Sequence, residues 1–207
     1  MSSWLIFGAG GKGVGSHIAR RALEAGQPLV AVVRREEAAK SLRDKGAKVL
    51  IGDACDEAVV SEACRLAGPD ATLISTMGGA QEYLAHRMVI NCAEKAGIRR
   101  MILVTSLGCG DSWPYLSPRS KAAFGQAVRE KSLAESWLQT STLDFAILRP
   151  GGLLNGPSTG KAVLSQADEV HGLVMREDVA IAVIRLAHTS RLKNQIYSIV
   201  EPGLKPF

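Results

Sequence analysis

The chain has 207 residues, of which 46% are hydrophobic and 22% charged, and its formal net charge is +5. This length and composition predict one globular domain over residues 1–207 and exclude an intrinsically disordered chain. Because the lysines and arginines are spread along the sequence, no basic block indicates a nucleic-acid-binding protein, and the mild positive charge suits an anionic ligand.

The sequence does not predict a membrane protein or a metalloprotein. No apolar run reaches the ~18 residues of a membrane span, and no charged leader precedes the first apolar stretch. The cysteines, at positions 55, 64, 92 and 109, have neither a metal-ligand nor a disulfide-framework spacing. We therefore expect a cytoplasmic protein with reduced thiols and no metal site. We also expect a monomer or small homo-oligomer that binds neither nucleic acid nor membranes.

The beginning of the chain predicts a strand, a glycine-rich loop and a helix in succession. Trp4–Phe7 is a short apolar run, five glycines follow at positions 8, 10, 11, 13 and 15, and an amphipathic pattern continues to Gly26. This is the context of a dinucleotide-binding fingerprint. Glycines let the backbone approach a pyrophosphate, and the helix N-terminus offers it free N–H groups.

Two alignments of this fingerprint are open. Gly8, Gly10 and Gly13 match the pattern G-x-G-x-x-G. Gly8 and Gly11 match the first two glycines of G-x-x-G-x-x-G, whose third position is Val14. The alternative to both is a glycine-rich turn without a ligand, which the strand–loop–helix context disfavours.

The second strand indicates which dinucleotide is bound. Leu29–Val33 is a continuous apolar run, typical of a parallel strand buried on both faces, and Arg34 and Arg35 follow it. At this point of such a fold an acidic residue binds the 2′-hydroxyl of NAD, whereas an arginine accommodates the 2′-phosphate of NADP. The arginines therefore favour NADPH, with Arg34 on the phosphate. The alternative is a pair of exposed arginines at the start of a helix.

The rest of the chain continues to alternate between helical and strand patterns. Helices are predicted at residues 36–45, 56–66, 81–96, 121–139 and 176–188. Strands are predicted at residues 48–51, 71–75, 101–105, 143–148, 170–175 and 196–200. This order predicts an α/β fold, a Rossmann-type doubly wound parallel sheet with helices on both faces.

Candidate ligand-binding residues follow several of these strands. Asp53 could accept a hydrogen bond from adenine or be a plain turn residue, and the glycine turn at 76–79 brings a second stretch of backbone to the cofactor. Segments 107–120 and 151–170 are predicted to be loops on the substrate side. The first contains Trp113 and either faces a substrate or covers the sheet edge. Within the second, residues 154–161 are a candidate lid.

Seven short motifs along the chain resemble a known family. They are FGAGG (7–11), VVRR (32–35), GDACD (52–56), VTS (104–106), KSLAESWL (131–138), LDFAILRPGGL (143–153) and REDVA (176–180). Their order and spacing over almost the whole chain resemble the atypical short-chain dehydrogenase/reductases. The similarity is to the NAD(P)H-binding group that contains flavin reductase/biliverdin reductase B and the NmrA-like proteins.

The resemblance implies how NADPH is held. It implies a cradle at loop 8–13, Arg34 on the 2′-phosphate, Asp53 near the adenine, Met77 and Gly78 under the ribose, and the ends of the fifth and sixth strands near the nicotinamide. The cofactor-binding residues that it implies are Gly8, Ala9, Gly10, Gly11, Lys12, Gly13, Val14, Arg34, Arg35, Asp53, Ala54, Met77, Gly78, Thr105, Pro150 and Gly151.

Typical members of the wider superfamily donate a proton through a Tyr-x-x-x-Lys pair. Lys131 fits the lysine, but Ala127 stands in the place of the tyrosine, which the flavin and biliverdin reductases of the family also lack. Without a phenol, alcohol and ketone chemistry is disfavoured, whereas a conjugated acceptor can take its proton from solvent. The candidate catalytic residues are Ser106 and Lys131, and the candidate substrate-binding residues are Trp113, Arg119 and Lys121.

We therefore expect an enzyme, an NADPH-dependent reductase that transfers a hydride to a planar conjugated acceptor. The acceptor is predicted to be a flavin such as FMN or a biliverdin-type tetrapyrrole, and the protein supplies orientation and excludes water. Two other functions stay open. One is a non-catalytic NADP(H)-binding sensor of the NmrA-like kind, and the other is a sugar or ketone reductase or epimerase with a different proton donor.

Overall fold

The computed structural model describes residues 2–167 and 169–206. Its strands are β1 (Trp4–Phe7), β2 (Leu29–Val33), β3 (Lys48–Ile51), β4 (Thr72–Ser75), β5 (Arg100–Val104), β6 (Asp144–Pro150), β7 (Gly152–Leu154), β8 (Val163–Ser165), β9 (Leu173–Met175) and β10 (Gln195–Val200). Its helices are α1 (Val14–Glu24), α2 (Glu36–Arg43), α3 (Glu57–Ala67), α4 (Glu82–Lys95), α5 (Pro118–Gln139), α6 (Arg176–Ala187) and a 3-10 helix (Gly110–Tyr115).

The main sheet has the strand order β3-β2-β1-β4-β5-β6-β10-β8. Its first seven strands are parallel, and β8 joins the edge antiparallel to β10. The order of the strands along the chain reverses between β1 and β4, which makes the carboxyl edge at these strands the expected ligand crevice. The predicted Rossmann-type doubly wound sheet is confirmed.

The sheet separates two apolar cores. Trp4 and Ile6 of β1 belong to one core, and Leu5 and Phe7 belong to the other, as the two-residue repeat of a strand requires. Side chains of α1, α2 and α6 complete the first core, and side chains of α3, α4 and α5 complete the second. Since both faces of the sheet are covered, its central strands are the continuous apolar runs that the sequence shows.

The two segments predicted to be loops contain regular structure, which corrects that prediction. In the first, a 3-10 helix covers Gly110–Tyr115, and α5 begins at Pro118 rather than at residue 121. The hydroxyl of Ser117 caps α5 by accepting a hydrogen bond from the amide of Ser120 at 3.0 Å, and Pro118 suits the first helical turn. The second segment contains β7, which pairs with β9 in a separate two-stranded sheet, and β8.

None of the helices in the described part of the chain is both long enough and apolar enough to cross a membrane.

The first turn of α1 packs very closely on the ends of β1 and β4. A Cβ atom at Gly15 would lie 2.4 Å from the hydroxyl of Thr76 and 2.5 Å from the carbonyl oxygen of Gly8. Gly8 itself has a φ of +97°, which favours glycine. In a dinucleotide-binding fingerprint the third glycine allows the helix to pack closely on the strand. The two alignments place that glycine at Gly13 or at position 14, but in this structure Gly15 makes the close contact.

Replacement of Gly15 by alanine therefore tests the packing of α1. We expect Gly15→Ala to lower the free energy of unfolding by about 1–3 kcal/mol, because the added methyl group overlaps backbone that cannot move freely. Urea denaturation measures the change. Gly11→Ala is the matched control, since a Cβ atom added at Gly11 would have no neighbour within 4 Å and Gly11 is not the N-cap of α1. Equal stability of Gly15→Ala and the parent protein would contradict this packing argument.

Candidate active site

A cleft of about 560 Å³ opens at the carboxyl ends of β1 to β4. It lies at the edge where the strand order reverses, and loops that follow the four strands form its walls. The predicted cofactor-binding residues that line it are Gly8, Gly10, Gly11, Arg34, Arg35, Asp53, Ala54, Met77 and Gly78.

The glycine loop offers this cleft an open backbone and a helix N-terminus. Space is open around Gly11 and Gly13, where an added Cβ would have no neighbour within 4 Å. Gly13 is the N-cap of α1, and the first turn of the helix carries no acidic side chain. The amide groups and the positive end of the helix dipole are therefore available to an anion. Ala9 and Val14 are buried behind the loop, and Lys12 is exposed on it.

The two arginines after β2 have different surroundings. Arg35 donates a hydrogen bond to the carbonyl oxygen of Gly10 at 3.0 Å and so braces the glycine loop. Arg34 lines the same cleft and is exposed, and within residues 2–167 and 169–206 no hydrogen bond or ion pair occupies its guanidinium. Across the cleft mouth, Asp53 accepts a hydrogen bond from the amide of Cys55 at 2.8 Å, which fixes its turn.

Lys131 reaches the β4 side of the cleft from α5. Its ammonium donates to the Oε1 atom of Glu82 at 2.6 Å and lies 3.4 Å from the carbonyl oxygen of Met77. Burial raises the pKa of Glu82, and the charge of Lys131 opposes that rise. His86, fully buried one turn further along α4, contacts the hydroxyl of Ser75 and the backbone of Glu82. Burial lowers the pKa of His86 to about 3, so this imidazole is neutral at physiological pH.

Sequence reasoning missed Glu82. An acidic residue at the start of α4 is a normal helix signal, and nothing local distinguishes it from an exposed glutamate. Its burial depends on Lys131, which is 49 residues away in the sequence.

A buried ion pair fixes the neighbouring end of the sheet. The guanidinium of Arg149 in β6 donates two hydrogen bonds to the carboxylate of Glu135 in α5, at 3.0 Å and 2.6 Å. Thr105 donates its hydroxyl to the same carboxylate at 2.6 Å, and Arg149 also pairs with Asp111 of the 3-10 helix. The hydroxyl of Thr105 is therefore bound to Glu135 and does not line the cleft. Glu135 and Arg149 were not predicted, because only the folded chain brings them together.

The other residues predicted to lie near the nicotinamide, Ser106, Pro150 and Gly151, lie at the carboxyl ends of β5 and β6 and do not line the cleft. Ser106 is half-buried, and its hydroxyl donates to the carbonyl oxygen of Leu107 at 3.0 Å. Pro150 accepts a hydrogen bond from the Leu107 amide at 2.9 Å, which ties the ends of β5 and β6 together. Gly151 packs so closely that a Cβ there would lie 2.2 Å from the carbonyl oxygen of Gly172.

The three predicted substrate-binding residues lie on the 3-10 helix and on the first turns of α5. The ring of Trp113 is contacted by the ammonium of Lys121, 5.2 Å from its centroid, and by the guanidinium of Arg129 at 5.4 Å. It therefore packs against α5, where cations attract its face. Arg119 is exposed in the first turn of the helix.

The candidate lid is tied down by one buried carboxylate. Asp178, in the first turn of α6, accepts hydrogen bonds from the hydroxyl of Ser158, from the amide and hydroxyl of Thr159 and from the amide of Gly160. Burial alone would raise the pKa of Asp178, but these hydrogen bonds outweigh burial and lower it. The structure thus anchors residues 158–160 to α6.

Among residues 2–167 and 169–206, no three His, Cys, Asp or Glu side chains are placed to hold a metal ion.

Comparison with known proteins identifies relatives over nearly the whole chain. A family model described as NAD(P)H-binding matches residues 8–190. ChuY, an anaerobilin reductase from Escherichia coli O157:H7, is 65% identical and superimposes with a TM-score of 0.98 over 99% of this chain and 100% of its own. ChuY from the E. coli strain CFT073 is 61% identical, with a TM-score of 0.93 over 100% of both chains. An uncharacterized sugar epimerase of Bacillus subtilis, YhfK, is 29% identical over 83% of this chain and 81% of its own.

These likenesses confirm the resemblance to the atypical short-chain dehydrogenase/reductases. They also confirm that the chain is an NAD(P)H-dependent oxidoreductase, with NAD(P)H as its cofactor.

Replacement of Asp178 tests how strongly the 158–160 segment is anchored. We expect Asp178→Asn to lower the free energy of unfolding at pH 7 by about 1–3 kcal/mol, because an amide nitrogen would face hydrogen-bond donors. The pKa of Asp178 is lowered from its ordinary value of 3.8. Its contribution is therefore present above that value and is lost as the pH falls through the folded pKa. Urea denaturation measures the free energy of unfolding of both proteins, and the difference between the two values should become smaller as the pH is lowered from about 5 toward about 2.

Asp44→Asn is the matched control, because Asp44 pairs with Lys40 on the surface and is 62% exposed. Asp44→Asn should change the free energy of unfolding by no more than about 0.5 kcal/mol. A pH-independent effect of Asp178→Asn, or one as small as that of the control, would contradict the role given to the carboxylate.

Proposed function

Because this chain belongs to the NAD(P)H-binding family, we propose that it is an NADPH-dependent reductase that transfers a hydride to a linear tetrapyrrole. The observation that carries this proposal is the 65% identity to an anaerobilin reductase, a tetrapyrrole reductase, over 99% of this chain. Of the two acceptors that the sequence predicts, this likeness supports the tetrapyrrole over the flavin.

The preference for NADPH rests on Arg34. Its guanidinium is exposed at the cleft wall, at the end of β2 where the adenine ribose lies in this fold. Arg35 is bound to the glycine loop, so Arg34 is the residue that we assign to the 2′-phosphate. The open backbone at Gly11 and Gly13 and the uncapped start of α1 fit the pyrophosphate.

The residues on the nicotinamide side orient the reactants. When bound, the nicotinamide supplies the hydride, and the chain holds no tyrosine at position 127 to protonate an alkoxide. A conjugated tetrapyrrole distributes the added electron pair over its double bonds, so the balancing proton can come from water. We expect the hydroxyl of Ser106 to form a hydrogen bond with the acceptor or with the nicotinamide carboxamide. We expect the positive charge of Lys131 to attract the anionic groups of the bound molecules and so to help orient them.

The substrate side is predicted to attract an anionic, planar molecule. Arg119 is exposed and Lys121 is half-buried where α5 begins, beside the ring of Trp113. These cations suit the propionates of a tetrapyrrole, and the ring of Trp113 holds Lys121 in place.

NADPH oxidation against a panel of acceptors tests the proposed function. We expect saturable oxidation with anaerobilin or biliverdin, weaker oxidation with FMN, and none with simple ketones. NADH serves as the comparison cofactor. Tight NADPH binding without oxidation by any acceptor would support the sensor instead, and turnover of ketones or sugars alone would support a ketone reductase or epimerase.

Reversal of the charge at Arg34 tests the choice of cofactor. We expect Arg34→Glu to weaken NADPH binding roughly 30-fold or more and to leave NADH binding nearly unchanged, because a charge-assisted contact with the phosphate becomes a repulsion. Isothermal titration calorimetry measures both affinities. Lys45→Glu makes the same charge change at an exposed position that does not line the cleft. If the ratio of the two affinities is the same in Arg34→Glu as in the parent, the phosphate assignment is wrong.

A further inference from the structure

Glu82 differs from three other buried carboxylates in one respect. Glu135, Glu177 and Asp178 each use both carboxylate oxygens in hydrogen bonds or ion pairs. The Oε1 atom of Glu82 accepts from Lys131, but its buried Oε2 atom has no hydrogen-bond partner among residues 2–167 and 169–206. The backbone N–H of Gly79 is close enough to lower the pKa of this carboxyl, but it does not meet hydrogen-bond geometry. An unpaired buried oxygen of this kind is costly, and it marks a place where a ligand could supply the missing donor.

The unpaired oxygen lies at the wall of the cofactor cleft. Glu82 lines the cleft although its side chain is fully buried. A Cβ atom at Gly78 would lie 3.8 Å from Oε2 of Glu82 and 3.9 Å from the ammonium of Lys131. Gly78 is exposed, so both charged groups lie just behind a stretch of cleft wall that has no side chain.

The strand order indicates which part of the cofactor comes to this point. The cleft runs along the carboxyl edge from the ends of β3 and β2, past the glycine loop after β1, to the turn after β4. With the 2′-phosphate at Arg34 and the pyrophosphate at the glycine loop, the next group along the cofactor is the ribose of the nicotinamide half. A ribose hydroxyl can donate to one partner and accept from another.

We propose that Glu82 is a cofactor-binding residue whose Oε2 atom accepts a hydrogen bond from a hydroxyl of the nicotinamide ribose. The same carboxylate holds Lys131 at the cleft wall through Oε1, so one buried side chain both positions the lysine and binds the sugar. The pair is rigid because the backbone of Glu82 is also bound by His86, which is itself held by Ser75. This assignment rests on the proposed binding of NADPH in the cleft.

Two ligands of different length test the assignment. NADPH contains the nicotinamide ribose, whereas adenosine 2′,5′-bisphosphate contains only the adenosine half with its phosphates. We expect Glu82→Gln to weaken NADPH binding about tenfold in isothermal titration calorimetry, since a charged acceptor is replaced by a neutral amide. Binding of adenosine 2′,5′-bisphosphate should change less than about twofold. If Glu82 had only a structural role, Glu82→Gln would weaken the binding of both ligands to the same extent.

Glu130→Gln is the matched control. Glu130 is the adjacent carboxylate on α5, accepts a hydrogen bond from the amide of Tyr83 at 3.1 Å, and does not line the cleft. The same charge is removed close to Lys131, so a general electrostatic effect would appear in both variants. We expect both ligands to bind Glu130→Gln as they bind the parent protein.

Gly78→Ala provides a second test if Glu82→Gln does not fold. The added methyl would be in ordinary van der Waals contact with both charged groups, so the fold should tolerate it while it crowds the approach to Oε2. We again expect weaker binding of NADPH and unchanged binding of adenosine 2′,5′-bisphosphate. If the folded variants lose affinity equally for both ligands, or for neither ligand, the assignment of Glu82 is wrong. Either outcome would leave the proposed reductase function unaffected. Failure of the parent protein to bind NADPH would overturn both.

Discussion

The contact between the first turn of α1 and the ends of β1 and β4 is the constraint on which the site depends. The backbone of Gly15 lies where a side chain would overlap Thr76 and the carbonyl oxygen of Gly8. This close approach places the N-terminus of α1 at the point where the strand order reverses. The unpaired amides of the helix therefore face a cleft whose other walls are turns after β2, β3 and β4.

Around that cleft, buried charges join the elements at the edge of the sheet, in addition to the apolar packing of the two cores. Glu82 joins α4 to α5, Glu135 joins α5 to β6, Glu177 joins α6 to α1, and Asp178 joins α6 to residues 158–160. Buried ion pairs gain little net stability, because removing the charges from water offsets most of their attraction. Their hydrogen bonds are directional, so here they fix how these helices and β6 are oriented toward one another and where residues 158–160 are anchored.

The sequence predicts the parts of the molecule that depend on local patterns. The runs at Trp4–Phe7 and Leu29–Val33 became central parallel strands, and Arg34 lies in the cleft wall as its position after β2 indicates. The short strands β7 and β8 were missed because three residues carry too little pattern to identify a strand. Ser117 and Pro118 form a helix-start signal that, if used, would have placed the beginning of α5 correctly.

Contacts between distant residues could not be predicted in this way. The family resemblance implies that Thr105 lies near the nicotinamide, but it gives no sign that the Thr105 hydroxyl is bound to Glu135, 30 residues further along the chain. The unpaired oxygen of Glu82 is likewise a property of the folded chain. A single sequence identifies which residues follow each strand, whereas the partners of a buried polar group depend on how α4 and α5 pack.

The proposed transfer of a hydride from NADPH into a linear tetrapyrrole can be followed atom by atom. The most direct measurement uses NADPH deuterated at the transferable position of its nicotinamide, with mass spectrometry of the tetrapyrrole product. We expect the reduced tetrapyrrole to carry one deuterium at a carbon atom when the protein is present. Reduced product without deuterium, or no reduced product while NADPH is bound, would contradict the proposed transfer.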